Sequence, residues 1–246
     1  MNEMINNEAV LLSVPEGQTA GPLLIILHGL TGYKEEKHLA ALAESACAAG
    51  FTVLRPDLYG HGQGEGAFRD HTLQIWIKQI RSLVRGAAES GNYSGIFLCG
   101  HSQGALCALL AAAQEESAVS GVCAVAPALK IPEQARAGTL FGLSFDPENV
   151  PDEVSVWGKP LSGDYVRKAQ AVSAEDAQAY KGPVLFVHSD ADERVPLSVS
   201  EEAVSHFKNA RLIVLHGDDH DFDRRPDLLA RAVTAWLLEQ KKDLSL

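Results

Sequence analysis

Residues 96–110 read IFLCGHSQGALCALL, and this stretch decides the fold. Four apolar residues, Ile96 to Cys99, lead into the turn Gly-His-Ser-Gln-Gly, and helix-forming Ala and Leu residues follow. The pattern predicts a buried strand, a tight turn and a helix. Because glycine has no Cβ, the two glycines let neighbouring backbone approach closely and hold Ser102 in a strained conformation that lifts its hydroxyl out of the turn.

Ser102 is therefore a candidate nucleophile. The helix after it directs the positive end of its dipole at any oxyanion that forms beside the serine. A serine is a poor nucleophile at neutral pH unless a base takes its proton, so the chain should supply a carboxylate and then a histidine further along.

The loop after the predicted strand Val184 to His188 offers three acids, Asp190, Asp192 and Glu193. Spacing alone does not decide which of the three acids orients the histidine. Asp192 is preferred, because the loop must travel a few residues beyond the strand before it turns toward the histidine. Asp190 is better placed to serve as a turn or capping residue.

The base is predicted to be His220. The last apolar run, Leu212 to Leu215, is a strand, and only His216 and His220 follow it among the nine histidines of the chain. His216 is still at the end of the strand, whereas His220 lies in the loop beyond it.

The oxyanion needs a second backbone N–H, which commonly comes from the loop after an early strand. The segment LHGLTG at 27–32 fits this position, so the N–H of Leu30 is expected to act with the N–H of Gln103. His28, at the end of the strand, is expected to brace this loop and not to act as a base.

Apolar runs alternate with helical patterns along the whole chain. This rhythm predicts an α/β fold with a mostly parallel sheet and helices on both faces. Leu73 to Ala87 and the segment from Pro226 to Trp236 have the three- and four-residue spacing of helices. The predicted strands are Leu23 to Leu27, Thr52 to Leu54, Ile96 to Cys99, Val122 to Ala126, Val184 to His188 and Leu212 to Leu215.

One long connection, from Pro127 to Pro183, interrupts this alternation of strands and helices. Its first half contains several prolines and glycines and cannot be one helix, whereas Asp164 to Val172 can form a short one. We interpret residues 1–246 as one domain with a lid inserted at about 128–175, over the sheet edge where open α/β sheets bind ligands. The alternative is that this segment is a surface insertion without a functional role.

Composition narrows the functional classes. The net charge of −11 disfavours nucleic-acid and membrane-surface binding, and no apolar run is long enough to span a bilayer. Neither a secretory signal nor a transit peptide is visible, and the four cysteines lie in apolar segments without disulfide or metal spacing. These features predict a cytoplasmic protein.

Five motifs and two insertion segments together resemble the α/β-hydrolase esterases, and most closely the bacterial feruloyl (cinnamoyl) esterases. The motifs are HGLTG at 28–32, DLYGHG at 57–62, GHSQG at 100–104, HSDAD at 188–192 and GDDH at 217–220; the insertion segments are FDPENVPD at 145–152 and GDYVRKAQ at 163–170. The first five are shared by many hydrolases, so the insertion segments are the more specific.

The resemblance implies the same triad, Ser102, Asp192 and His220, and the same oxyanion donors. It also implies that Tyr165 faces the phenolic end of a hydroxycinnamate, although a tyrosine that packs the lid onto the domain is the alternative. Near Glu133 the family tends to carry an aspartate that holds the phenol, and Glu133 is the candidate substitute. At position 189 this chain has serine, where the resembled family commonly has glycine.

The expected activity is hydrolysis of a small carboxylic ester, of hydroxycinnamate or another aromatic or short-chain type, through an acyl-enzyme and without a metal or organic cofactor. The partner is a small-molecule ester, and a homodimer is left open. A lipase, thioesterase or peptidase on the same triad is an alternative, because fold and triad do not select the leaving group. A non-catalytic ligand-binding homologue is an alternative of another class.

Overall fold

The computed structural model describes residues 2–5, 8–15 and 21–244, and one eight-stranded sheet runs through them. The strands in chain order are β1 Asn2–Ile5, β2 Glu8–Ser13, β3 Gly21–Leu27, β4 Thr52–Pro56, β5 Tyr93–His101, β6 Gly121–Val125, β7 Thr139–Leu140, β8 Leu143–Ser144, β9 Glu153–Val156, β10 Lys159–Ser162, β11 Val184–Ser189 and β12 Ala210–Leu215. The helices are α1 Lys37–Ala48, α2 Leu73–Ser90, α3 Gln103–Gln114, α4 Ile131–Arg136, α5 Gly163–Gln170, α6 Ser198–Val204 and α7 Pro226–Asp243.

The strand order in the main sheet is β1-β2-β4-β3-β5-β6-β11-β12. Strands β1 and β2 pair antiparallel with each other and β2 with β4, and every further pair is parallel. All six strands predicted from the sequence are present. As expected for continuous apolar runs, every residue of β3, β6 and β11 is buried.

Helices cover both faces of the sheet, and β3 shows how. Leu23, Ile25 and Leu27 pack in one core cluster with α2 and α3, whereas Leu24 and Ile26 pack in a second cluster with α1 and α7. This is the alternation expected of a strand between two helical layers. The α/β prediction is confirmed.

The predicted helices form where their apolar faces indicate. Helix α2 buries Leu73, Trp76 and four further apolar residues at three- and four-residue spacing. It begins after Thr72, whose side chain accepts a hydrogen bond from the Ile75 N–H, and ends at Gly91 in the left-handed conformation. Helix α7 begins at Pro226, as predicted.

The long connection between β6 and β11 folds into short elements. Helix α4 and the hairpins β7–β8 and β9–β10 form its first half, and α5, close to the predicted 164–172, follows. The Ser162 side chain caps α5 by accepting a hydrogen bond from the Asp164 N–H. Buried residues of this insertion belong to the core cluster of α2 and α3, so it packs directly on that layer.

Within the described residues, no helix has both the length and the apolar character that a membrane span requires.

Candidate active site

The sharp turn between β5 and α3 carries Ser102 with φ 53° and ψ −119°, a conformation that a residue with a side chain rarely adopts. A Cβ on Gly100 would overlap the carbonyl of Gly104, and a Cβ on Gly104 would overlap the carbonyl of His28. The Ser102 N–H donates to the carbonyl of Val125 at 2.9 Å. The two glycines thus permit the close approach that holds the serine in its strained conformation.

The structure brings the three predicted catalytic side chains together. Nε2 of His220 lies 2.9 Å from Oγ of Ser102, and Nδ1 of His220 lies 2.6 Å from Oδ2 of Asp192. His220 is 5 % exposed and the Asp192 side chain is fully buried. The geometry provides a nucleophile, a base and an acid that orients the base.

The loop after β11 holds Asp192 as a carboxylate. Its Oδ1 accepts the N–H groups of Arg194 and Val195, each at 2.9 Å. Nε2 of His188 lies 3.3 Å from Oδ2 and donates to the carbonyl of Val195. Burial acts to raise the pKa of Asp192, but the hydrogen bonds of His188 and His220 outweigh it, so the pKa lies well below its usual range.

The other two acids of this loop lie elsewhere. Asp190 accepts the Gly217 N–H at 2.8 Å and pairs with the exposed His216 at 2.7 Å, so it connects the ends of β11 and β12 at the surface. Glu193 is exposed and lines the cavity beside Ser102. Only Asp192 contacts His220 among the three.

The loop after β3 presses against the nucleophile. A Cβ on Gly29 would lie 3.1 Å from Cβ of Ser102, and Leu30 lines the same cavity as Ser102 and Gln103. Gln103 is the first residue of α3, so its N–H lies at the positive end of that helix. This arrangement suits Leu30 and Gln103 as donors to an oxyanion.

His28 braces this loop and is not available as a base. Its Nδ1 donates to the carbonyl of Gly29 at 2.8 Å, and its Nε2 accepts the Leu58 N–H at 2.9 Å. Burial lowers the pKa of His28 to about 4, so the imidazole is neutral near pH 7.

His61 is a second bracing residue, and the sequence reasoning missed it. Its Nε2 accepts the N–H of Thr31 at 3.1 Å, and Thr31 has a positive φ of 66°. Burial first, and then the neighbouring His28 and His71, lower the pKa of His61 to about 2. A neutral imidazole thus stabilises the strained residue that follows Leu30. The sequence feature that could have indicated this role is the motif DLYGHG at 57–62, which contains His61.

A cavity of about 790 Å³ opens beside Ser102, and the insertion forms part of its wall. The main domain contributes Leu30, Ser102 and His220, among others, and the insertion contributes residues of α4 and of both hairpin turns. Glu133, the candidate substitute for the aspartate that holds the phenol, lies on this wall, and its carboxylate pairs with Lys130 at 3.2 Å.

Two aromatic side chains of the cavity wall, Phe141 and Trp157, were not predicted. Each stands at positive φ in a hairpin turn and is followed by a glycine at positive φ, Gly142 and Gly158. Their rings lie 5.8 Å apart between centroids, and Trp157 is 57 % exposed. A large aromatic residue is unusual before glycine in a tight turn. This pairing in the sequence could have indicated that Phe141 and Trp157 have a role in the site.

The structure places Tyr165 away from the cavity wall. Its side chain is fully buried, and its hydroxyl donates to Oε1 of Gln103 at 2.6 Å. The hydroxyl is therefore occupied by a protein partner and does not face the cavity, contrary to the phenol contact that the resemblance implied. This geometry favours the alternative, a tyrosine that packs the insertion onto the domain.

A serine, a histidine and an aspartate joined by short hydrogen bonds at the carboxyl edge of a mostly parallel sheet define a serine hydrolase of the α/β-hydrolase fold. Comparisons with known proteins agree. The serine aminopeptidase (S33) family matches residues 18–150, and the TAP-like protein family matches residues 157–244. A comparison with curated proteins gave no match.

Among solved structures, the chain is similar to Est1E from Butyrivibrio proteoclasticus with bound ferulic acid, at 42 % identity, with 96 % of each chain covered and a TM-score of 0.92. A second Est1E structure gives 40 % identity, 98 % coverage of each chain and a TM-score of 0.89. A structure from work on the metagenome-derived lipolytic enzymes LipS and LipT shares the fold, at 24 % identity, with 94 % of this chain and 97 % of that chain covered and a TM-score of 0.72. The chain belongs to the α/β-hydrolase family of serine esterases.

Proposed function

We propose that this esterase cleaves hydroxycinnamate esters of the feruloyl type, or other small aromatic or short-chain esters, through an acyl-enzyme on Ser102. The observation that carries the proposal is the continuous hydrogen-bonded relay from Ser102 through His220 to Asp192, which opens onto a cavity with an aromatic wall.

In the first half of the reaction, His220 takes the proton of the Ser102 hydroxyl as its oxygen attacks the ester carbonyl. Asp192 holds the imidazole in the tautomer with the proton on Nδ1 and stabilises the imidazolium. The N–H groups of Leu30 and Gln103 stabilise the oxyanion. His220 then gives its proton to the departing alcohol, which leaves Ser102 acylated.

In the second half, His220 takes a proton from water, and the resulting hydroxide attacks the acyl carbonyl. Collapse of the tetrahedral intermediate returns the proton to Ser102 and releases the carboxylic acid. Every proton moves between the substrate, water and these side chains, so the cycle needs neither a metal nor an organic cofactor.

The cavity supports an aromatic acyl group. Its volume of about 790 Å³ lies within the range of small-molecule sites, and Phe141 and Trp157 provide aromatic rings on its wall. The relative with ferulic acid bound in its structure supports the same chemistry. The insertion, which supplies both rings, would act as the lid that selects the ester.

The experiment compares kcat/KM for methyl ferulate with kcat/KM for p-nitrophenyl acetate and butyrate. We expect methyl ferulate to be preferred, and Trp157→Leu to raise KM for methyl ferulate more than KM for p-nitrophenyl acetate. A strong preference for simple acyl chains would overturn the hydroxycinnamate assignment and leave the esterase assignment standing.

Ser102→Ala tests the nucleophile itself. The variant should lose several orders of magnitude in kcat on every ester and should not be labelled by a fluorophosphonate probe, which the native chain should bind covalently. An unlabelled native chain would favour a ligand-binding homologue.

A peptidase is the second candidate, because the family that matches residues 18–150 is described as serine aminopeptidase. Parallel assays with aminoacyl amides, acyl thioesters and long-chain esters separate the peptidase, thioesterase and lipase alternatives from the esterase proposal.

A further inference from the structure

A second cluster of polar side chains, Glu36, His38 and His101, lies behind the catalytic histidine. Glu36 immediately precedes α1, His38 lies in its first turn, and His101 ends β5 just before the nucleophile. His38 is 1 % exposed and His101 is 3 % exposed. One nitrogen or oxygen atom from each of the three residues lies within 4.8 Å of the other two.

Each member of the cluster has an unsatisfied polar atom. Within the part of the chain that the structure describes, Oε2 of Glu36, Nε2 of His38 and Nδ1 of His101 are buried and have no hydrogen-bond partner. Buried polar atoms without a partner are rare in folded proteins. Seven such atoms occur in the described part of the chain, and three of them belong to this one cluster, where a single ligand could satisfy all three.

The protonation of His101 identifies the kind of ligand. Its Nε2 lies 2.9 Å from the carbonyl oxygen of His220, and because a carbonyl only accepts, Nε2 must carry the ring proton. Nδ1 therefore carries a lone pair that can bind a cation. Histidines that bind metals commonly donate their other N–H to a backbone carbonyl in this way.

The donor set and its size suit a small divalent cation. A carboxylate and two imidazoles are ligands that Zn²⁺ takes readily. A point within about 2.8 Å of all three atoms exists, and Zn–N and Zn–O bonds are about 2.0–2.1 Å, so inward shifts of less than about 1 Å would suffice. Glu36 and His101 also line the active-site cavity, which gives an ion a route to the cluster.

We propose that Glu36, His38 and His101 form a binding site for Zn²⁺, next to the catalytic triad and separate from it. The ion would fix His101, which in turn holds the backbone carbonyl of His220, so its effect would be to stabilise the loop of the catalytic histidine. Ester hydrolysis does not require this ion, and the inference does not depend on the proposed substrate.

The test uses the purified 246-residue chain after treatment with a chelator and buffer exchange. Titration with Zn²⁺ alone should give one ion bound per chain by calorimetry, and Co²⁺ alone should give visible absorption bands of a low-coordinate site. Saturating Zn²⁺ should raise Tm by about 5 °C. Glu36→Gln and His38→Gln should each weaken binding by at least tenfold.

Two further variants serve as controls. His216→Asn alters an exposed histidine outside the cluster and should bind Zn²⁺ like the native chain. His220→Gln tests an alternative group, His101 with His220 and Asp221, whose donor atoms also lie within 4.8 Å of one another. Binding that survives His220→Gln supports the proposed site, and binding lost there overturns it.

The absence of stoichiometric Zn²⁺ binding to the native chain would also overturn the proposal, as would binding that Glu36→Gln and His38→Gln both leave unchanged. Circular dichroism verifies that each variant is folded. If His38→Gln does not fold, Glu36→Gln decides alone, since it is nearly isosteric.

Discussion

Asp192→Asn tests the catalytic relay most sharply, because it changes one atom of one side chain. The carboxamide oxygen can still accept the N–H groups of Arg194 and Val195 that Asp192 binds at 2.9 Å. The amide NH₂ then takes the place of Oδ2, which lies 2.6 Å from Nδ1 of His220. An NH₂ group only donates, so Nδ1 would have to accept.

The consequence is the wrong tautomer of the base. With Nδ1 as an acceptor, the ring proton of His220 moves to Nε2, which faces Oγ of Ser102 at 2.9 Å and can no longer take its proton. The corresponding change in a serine protease lowers kcat by roughly 10⁴. We expect a loss of about 10³ to 10⁴ in kcat here, or about 4–5.5 kcal/mol of transition-state stabilisation.

Asp190→Asn is the matched control, since Asp190 lies in the same loop and also pairs with a histidine, the exposed His216 at 2.7 Å. We expect its kcat to remain within about threefold of the native value, as for most surface changes. The assay is steady-state hydrolysis of p-nitrophenyl acetate, with unfolding curves to show that both variants are folded. Equal losses in the two variants, or a loss only in Asp190→Asn, would refute the assignment of Asp192.

The same substitution has an effect on stability at low pH. The native fold lowers the pKa of Asp192, so the unfolded chain binds a proton at a higher pH than the folded chain does. The stabilisation is present above the unfolded pKa of about 3.9 and is lost as pH falls below it. Between pH 6 and pH 3 the native chain should therefore lose more unfolding free energy than Asp192→Asn, as measured by urea denaturation.

Three further tests, one of them with a matched control substitution, concern the turn, the oxyanion loop and the insertion. Gly104→Ala should cost about 3 kcal/mol or more of unfolding free energy, because its Cβ would overlap a backbone carbonyl. Gly158→Ala is the control: Gly158 has a positive φ but no atom within 4 Å of the added Cβ, so the substitution should cost roughly 1–2 kcal/mol. Equal costs in urea denaturation would contradict the argument that Gly104 is needed for close approach of the backbone. His61→Ala removes the acceptor of the Thr31 N–H and should lower kcat about tenfold with little change in KM, and an unchanged kcat would show that the loop holds its shape unaided. Tyr165→Phe removes the hydrogen bond to Gln103, so it should lower the unfolding free energy by about 1–2 kcal/mol and leave KM for methyl ferulate unchanged. A raised KM would instead support a contact between Tyr165 and the phenol of the substrate.

The central sheet could be predicted from the sequence because its strands are buried on both faces. Such strands appear as continuous apolar runs, and β3, β6 and β11 are of this kind. The antiparallel strands β1 and β2 were missed; NEMI has only two apolar residues, but the apolar run AVLL of β2, at 9–12, is as long as those of strands that were predicted. Helix α1 was also missed, although it buries residues against α7 in the second core cluster.

The residues of the relay were predictable for a topological reason. In a parallel sheet the carboxyl ends of the strands lie at one edge, so the loops after β5, β11 and β12 must meet there. A short motif after each strand was enough to place Ser102, His220 and the loop of Asp192 near one another, although spacing alone did not decide among the three acids of that loop. The insertion has no such constraint. The positions of Trp157 and Phe141 depend on hairpin pairing, which no apolar periodicity in the sequence indicates, and so the cavity wall was the least predictable part of the site.

The serine at position 189, where the resembled family commonly has glycine, has a structural explanation. Its buried Oγ donates to the carbonyl of Asp218 at 2.6 Å and accepts the N–H groups of Asp218 and Ala191, each at 3.2 Å. One hydroxyl thus joins the loop of the catalytic acid to the loop of the catalytic histidine. A glycine would leave the Asp218 carbonyl without this donor at a buried position, a loss that typically costs about 1–3 kcal/mol. The departure from the family pattern therefore concerns how the two loops are held together.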